Sequence, residues 1–424
     1  MIRFLIKGLL RDRSRSLFPV LMVSAGAFLT VFLYSFMKGT MDDLVNSNAK
    51  FDTGHVKIMT RAYEQLADQM PNDLALLGVD SLLERLRSSE KNMVWTPRIR
   101  FGGLLDIPDE RGETRAQGPV MGLGVDLFSP ESQEVDILNL QNALVEGKLP
   151  QKNNEILISE EFAKKLGVKM GETATLIGST MDGAMAIHNF KVSGTVRFGI
   201  TAMDRGAIIA DIKDVQYALD MPDGAGEIVG YSENMLYDDD TMLPLTQRFN
   251  DNFLRDDDEF SPLMLSLSQQ NELGEYLDLV DVFGGLIVLI FVVVMSIVLW
   301  NSGLINGLRR YGEIGVRLAM GEPKGALYRW MIYESMITGF IGSTLGTVLG
   351  LAISYYLQYT GIDFAAVLQK STMLISNVIR ARVTGWSYVI GFFPGLIASV
   401  VGTMFAGIGI YRRQTSQLFK ELEV

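Results

Sequence analysis

Four apolar stretches constrain this 424-residue chain more than any other feature: residues 17–37, 282–301, 331–357 and 386–410. Each is close to the ~20 residues that an α-helix needs to cross the hydrocarbon core of a bilayer. With 48% hydrophobic residues overall, they predict a multi-pass helical membrane protein. Glu334 in the third stretch and Pro394 in the fourth are tolerable in spans that have protein neighbours. The first stretch exceeds the ~7–15 apolar residues of a signal peptide, and its small residues (Ser24–Ala27, "SAGA") fall mid-run, so a retained span is expected.

The net charge of −11 conceals a strong asymmetry. Residues 1–37 carry five basic side chains and one acidic, whereas residues 38–281 carry 22 basic and 42 acidic. Residues 301–330 are net +3 and residues 411–424 net +1. Basic flanks are held on the cytoplasmic side, and long domains translocate with little regard to charge. Both termini and the loop at 302–330 are therefore expected in the cytoplasm, with 38–281 outside. The short loop at 358–385 opposes this, with Lys370, Arg380 and Arg382 against Asp363; three segments outweigh it. Within residues 1–16, Ile2, Leu5, Ile6 and Leu9 fall at helical spacing opposite Arg3, Lys7 and Arg11, which predicts an interfacial helix leading into the first span.

The outer segment mixes β-rich runs ("HVKIMT", "NMVWTPRIRF", "PVMGLGV", "NEILIS", "ETATLIG", "HNFKVSGTVRF", "GAIIADI") with short helical ones. The clearest helices are "VDSLLERLRSS", "DIKDVQYALDM" and "SEEFAKKLGV", the last capped by Ser159 and ended by Gly167. The fold class is thus four transmembrane helices with a large mixed α+β domain inserted between the first two. That domain forms one body or two subdomains divided between Leu140 and Asn189.

Chemistry is sparse. Without cysteine there is neither a disulfide nor a thiolate site, and His55 and His188 each read as a strand position with no metal set or nucleophile around them. Asp238–Asp240 and Asp256–Glu259 lack the spaced ligands of a calcium loop and read as a solvated acidic face. No phosphate-cradling loop is present, the nearest sequences being "EGKLP" and "GEPKGAL". Nothing points to nucleic acid.

The segment between the second and third spans is distinctive: "LRRYGEIGVRLAMGEPKGALYRWMIYES", Leu308–Ser335. It predicts a basic helical knuckle, broken at Gly321 and Pro323 and restarted at Lys324. Its Glu313-Ile314-Gly315, Arg317, Ala319 and Gly321, followed by a glycine-repeated span, resemble the permease signature of the FtsX, MacB and LolC/LolE families. Glu322 departs from the usual alanine, and Arg317 sits two residues before Ala319, as in MacB-like members.

The resemblance implies a MacB-like periplasmic domain and a bacterial inner-membrane permease. Arg309, Arg310, Glu313, Gly315, Arg317, Gly321 and Lys324 would then form a coupling helix docked on a dimeric cytoplasmic ABC ATPase. That separate ATPase would bind the ATP and Mg; this chain is expected to hold no cofactor and to catalyse nothing. A second permease, identical or paralogous, and the lipid bilayer complete the set of partners. Function is expected to be mechanotransmission, with lipoproteins extracted for a periplasmic carrier; MacB-like export and FtsX-like signalling are the alternatives. Glu334 reads as an intramembrane polar residue that either snorkels to the inner interface or bonds the knuckle, the second favoured by the resemblance. Gly342, Gly346 and Gly350 make a smooth helix face, open to a dimer partner or to packing within the chain.

Overall fold

The computed structural model describes residues 13–198, 201–253, 255, 257–270, 273–308, 311–363 and 378–412. The interfacial helix expected at residues 1–16 therefore lies almost wholly outside the described residues, as does the tail beyond Arg412. Contacts divide the chain into two units: Met1–Met41, Leu279–Ala365 and Asn377–Val424 make one, Asp42–Asp278 and Ala366–Ser376 the other.

In the first unit the apolar runs are parts of longer helices. Helix α1 spans Arg13–Asn48, α6 Leu273–Leu308 and α8 Lys324–Thr360. At ~1.5 Å per residue, a helix of this length exceeds a ~30 Å hydrocarbon core. Hydropathy detects only the buried part of such a helix, and polar turns continue it without an apolar signal. The fourth apolar run is irregular: a 3-10 turn at Gly385–Tyr388 and a π-turn at Phe393–Ala398, which contains Pro394, precede α9, Ser399–Arg412. A proline lacks the N–H that a continuous helix needs.

Glycines set the packing in this unit. A Cβ at Gly342 would meet Val23 at 2.8 Å, one at Gly350 would meet Val31 at 2.9 Å, and one at Gly346 would press on the Ser24 carbonyl. The smooth face of α8 thus lies on α1 of the same chain. Gly391 and Gly395, from the fourth run, abut Val31 and Ser343. Helix α6 stands apart: Met295 and Leu299 touch Gly26 and Trp300 touches Gly402, while Val282, Phe283, Leu289, Ile290 and Ile297 are exposed.

The second unit is built on a ten-stranded sheet. Its strands are β1 Val56–Thr60, β2 Met93–Pro108, β3 Thr114–Val125, β4 Leu144–Gly147, β5 Glu155–Ser159, β6 Thr173–Ser179, β7 Met185–Val196, β8 Ala207–Asp211, β9 Glu227–Ser232 and β10 Pro262–Ser266. The order is β10-β1-β9-β2-β3-β8-β5-β7-β4, with β6 bridging β2 and β7. Strand β3 runs parallel to β8, which pairs with β5; one apolar cluster reaches from Val56 to Met264 and a second gathers Leu123, Leu157, Val196 and Ile209.

Helices α2 Val79–Ser89, α3 Glu160–Leu166 and α4 Ile212–Ala218 cover the core. Ser159 accepts the Phe162 N–H at 3.3 Å and Gly167 ends α3 at φ +62°, as a left-handed cap requires. A further helix, α5 Asp239–Phe253, begins in the acidic run: Asp238 accepts from Thr241 Oγ1 at 2.7 Å, and Asp239 from Tyr237 Oη and Ser268 Oγ.

His55 is buried just before β1. Its Nδ1 accepts the Ser232 N–H at 3.1 Å, and Tyr231 and Tyr237 pack edge-on around it. Burial, reinforced by Lys50, lowers its pKa to about 4. Because the folded value lies below the ordinary 6.5, folding favours the neutral ring. Its stabilisation is complete above pH 6.5 and is lost as the pH falls towards 4, at about 1.4 kcal/mol per pKa unit. Denaturation of the full chain, followed in the second unit by hydrogen exchange, is expected to show this loss. The His55→Gln variant should flatten it, and an equal slope in the variant would assign the loss to other groups.

Candidate functional site

The knuckle folds as expected in outline. Helix α7, Tyr311–Ala319, closes with Gly321 N–H donating to the Leu318 carbonyl at 3.0 Å and Glu322 N–H to the Arg317 carbonyl at 3.2 Å. This double bond pattern needs a left-handed residue, and Gly321 supplies it at φ +93°. Pro323 then precedes α8, where its missing N–H costs nothing.

One face of α7 is fixed to the chain. Ile314 is buried with Leu327 and Met331 of α8, and Leu318 packs beside them. Gly315 is also buried. The other face is open: Val316 is 43% and Met320 73% exposed, with Arg317 paired to Glu322 at 3.5 Å across the turn. Such a half-exposed pair contributes little to stability. Its place is at the rim of an apolar, solvent-facing patch.

Of the remaining sequence-chosen residues, Lys324 opens α8 and is half-buried. Arg309, Arg310 and the Glu313 side chain lie outside the described residues. Glu334 is half-buried on α8 and engaged in a polar interaction; beside it Ser335 Oγ donates to the Ser399 carbonyl at 3.2 Å and accepts from Thr403 Oγ1 at 3.0 Å, tying α8 to α9. Gly342, Gly346 and Gly350 belong to the packing seam with α1 and are not part of the knuckle. Val316 and Met320 escaped a reading that sought charge; their i, i+4 spacing opposite Ile314 and Leu318 was the available signal. Among the described residues, no group of histidine and carboxylate side chains could hold a metal.

Residues 285–415, which include α7 and the whole α8 seam, match the family model for the FtsX-like permease C-terminal domain. This part of the chain is therefore an FtsX-like permease C-terminal domain. Among its relatives is the macrolide export ATP-binding/permease protein MacB of Psychrobacter cryohalolentis, 30% identical over 108 residues, or 26% of this chain and 16% of that one. The lipoprotein-releasing system transmembrane protein LolC of Haemophilus influenzae is 26% identical over 266 residues, 61% of this chain and 62% of that one. An uncharacterised ABC transporter permease protein of Mycobacterium tuberculosis is 22% identical over 320 residues, 72% of this chain and 34% of that one. The match therefore spans less than two thirds of the length of each of these relatives. The periplasmic region of MacB from Actinobacillus actinomycetemcomitans aligns with a TM-score of 0.37 and 13% identity, covering 55% of this chain and 95% of that one.

Proposed function

We propose that this permease is the membrane subunit of an ATP-driven ABC transporter of the mechanotransmission type, and that it extracts lipoproteins from the inner membrane for a periplasmic carrier. The observation that carries the coupling is the knuckle. A nine-residue helix, pinned by Ile314 and Leu318 against α8, presents Val316, Met320 and the Arg317–Glu322 pair outward. An apolar patch rimmed by charge is suited to a groove of a cytoplasmic partner. That partner, a dimeric ATPase, holds ATP and Mg and performs the hydrolysis; this chain supplies no catalytic group. Both termini face the cytoplasm and residues 38–281 face the periplasm. A second permease, identical or paralogous, completes the complex.

The LolC relative, matched over most of this chain, supports the lipoprotein cargo. A second reading, export of a peptide or drug with an adaptor, draws on the MacB relatives and on the position of Arg317. The deciding experiment reconstitutes the complex with its ATPase in lipid, with and without a triacylated lipoprotein. Release to a soluble carrier is expected only with ATP. Met320→Asp and Arg317→Ala are each expected to reduce release about tenfold or more, the scale of one lost interfacial anchor, without changing the unfolding midpoint. Release that survives Met320→Asp would remove the knuckle from the mechanism. ATP turnover indifferent to lipoprotein would transfer the cargo assignment to the export reading.

A further inference from the structure

Within the outer unit the chain leaves α1 through a π-turn, Ala49–Thr53, closed by the Gly54 N–H donating to the Ala49 carbonyl at 2.8 Å. The carbonyls at a helix end lack partners within the helix. Here they are taken by side chains from distant strands. Tyr231 Oη on β9 donates to the Ala49 and Lys50 carbonyls at 3.1 and 3.2 Å. Arg98 on β2 donates from Nη1 to the Lys50 carbonyl at 2.9 Å. Arg100, two residues along, reaches the Asp52 carbonyl at 3.1 Å and its carboxylate at 2.5 Å. Gln270 Nε2, placed by β10, reaches the Thr53 carbonyl at 3.2 Å.

Behind these donors stand acidic partners. Glu134 accepts both Nε and Nη2 of Arg98 at 2.8 and 2.9 Å, and both side chains are 0% exposed. Glu227 accepts Arg100 Nε at 3.1 Å and Lys57 Nζ at 2.9 Å, and Lys57 also meets Asp52 at 3.3 Å. Burial alone would raise the Glu227 pKa, but Arg100 and Lys57 outweigh it and keep the carboxyl below its ordinary range.

Stability does not account for this expense of charge. A buried pair is commonly matched or bettered by apolar side chains of the same volume, because desolvation cancels most of the attraction. Water or a single cap would also satisfy a helix end. What the ionic version adds is position: forked, directional bonds fix the end of α1 against two particular strands. One of these, β2, is paired with β9, β3 and β6. A shift delivered to β2 is therefore shared across the middle of the sheet.

We propose that this ionic joint, centred on Arg98, Arg100, Tyr231 and Gln270, is the element through which displacement of α1 is delivered to β2 and β9; it rests on the mechanotransmission reading above. Its residues are positioning residues that touch no cargo.

The test uses the full complex with its ATPase in lipid nanodiscs, comparing hydrogen exchange across β2, β3 and β9 in ADP with that in ATP plus vanadate. Two variants are compared with wild type: Arg98→Met with Glu134→Leu, and Tyr231→Phe with Gln270→Ala. Both are expected to fold and to keep wild-type ATP hydrolysis. The nucleotide-dependent exchange difference should shrink about tenfold, the loss of a typical coupling between sites. If either folded variant retains the full difference, the joint is not the coupling element while the mechanotransmission reading stands. If wild type itself shows no nucleotide-dependent difference, that reading fails and the joint falls with it. The milder pair at Tyr231 and Gln270 leaves the ion pairs in place, so it decides the question even if the other variant does not fold.

Discussion

Gly346→Leu is expected to destabilise the membrane unit by about 3 kcal/mol or more, the upper range for overpacking. The added Cβ alone would press on the Ser24 carbonyl and lie 2.8 Å from Ala27 Cβ and 2.9 Å from the Phe28 nitrogen. Two of those three neighbours are backbone atoms, which cannot swing aside as a long side chain can. Relief requires α1 and α8 to separate, and that would also forfeit the contacts at Gly342 and Gly350. Gly285→Ala is the matched control: nothing lies within 4 Å of the added atom, and helix propensity alone makes it neutral or slightly stabilising. Unfolding of the full chain in one defined detergent compares the two. Equal midpoints for Gly346→Leu and wild type would show that the folded bundle does not use this seam.

The second large effect is at Arg98. Arg98→Ala leaves the Glu134 carboxylate buried without its partner and the Lys50 carbonyl with Tyr231 Oη as its remaining side-chain donor. Breaking one side of a buried pair typically costs 3–5 kcal/mol, whereas replacing both sides with apolar groups is often neutral. Arg98→Ala is therefore expected to lower the stability of the sheet-containing unit by roughly 3–5 kcal/mol, and Arg98→Met with Glu134→Leu to recover most of that loss. Hydrogen exchange of the β2 amides against denaturant separates this effect from events in the membrane unit. A double variant as unstable as Arg98→Ala would mean that the packing or the Lys50 bond, and not the stranded charge, sets the cost.

Local signals were legible in the sequence wherever a residue's reason lay within a few positions of it. Ser159 and Gly167 announced both ends of α3 because a cap is a contact of three to five residues. Strands such as Glu155–Ser159 and Ala207–Asp211 are buried on both faces and stand out as short continuous apolar stretches. Helix α5 was hidden: its first turn is the acidic run that reads as solvated surface, and Pro244 falls inside it. Strand β9 was missed because "EIVGYS" places a glutamate and a glycine among its apolar residues; Glu227 is there for Arg100, 127 positions away. The joint was illegible for the same reason, since Arg98 meets Glu134 across 36 residues and Gln270 meets Thr53 across 217. At the knuckle the helix and its glycine turn could be read from the sequence. The apolar outward face could not, because Val316 and Met320 resemble core residues until the structure leaves them uncovered.

Helix α6 has a thermodynamic consequence of its own. Leu299 is its one fully buried apolar side chain among the described residues, and most of its described side chains between Val282 and Asn301 are left to whatever surrounds them. In lipid no hydrophobic drive presses such a helix against its neighbours, because acyl chains solvate it as well as leucine does. The folding free energy of this half is then a joint property of polypeptide and solvent. A melting temperature quoted for it has no meaning until the detergent or lipid is named, much as a DNA affinity has none without its salt concentration.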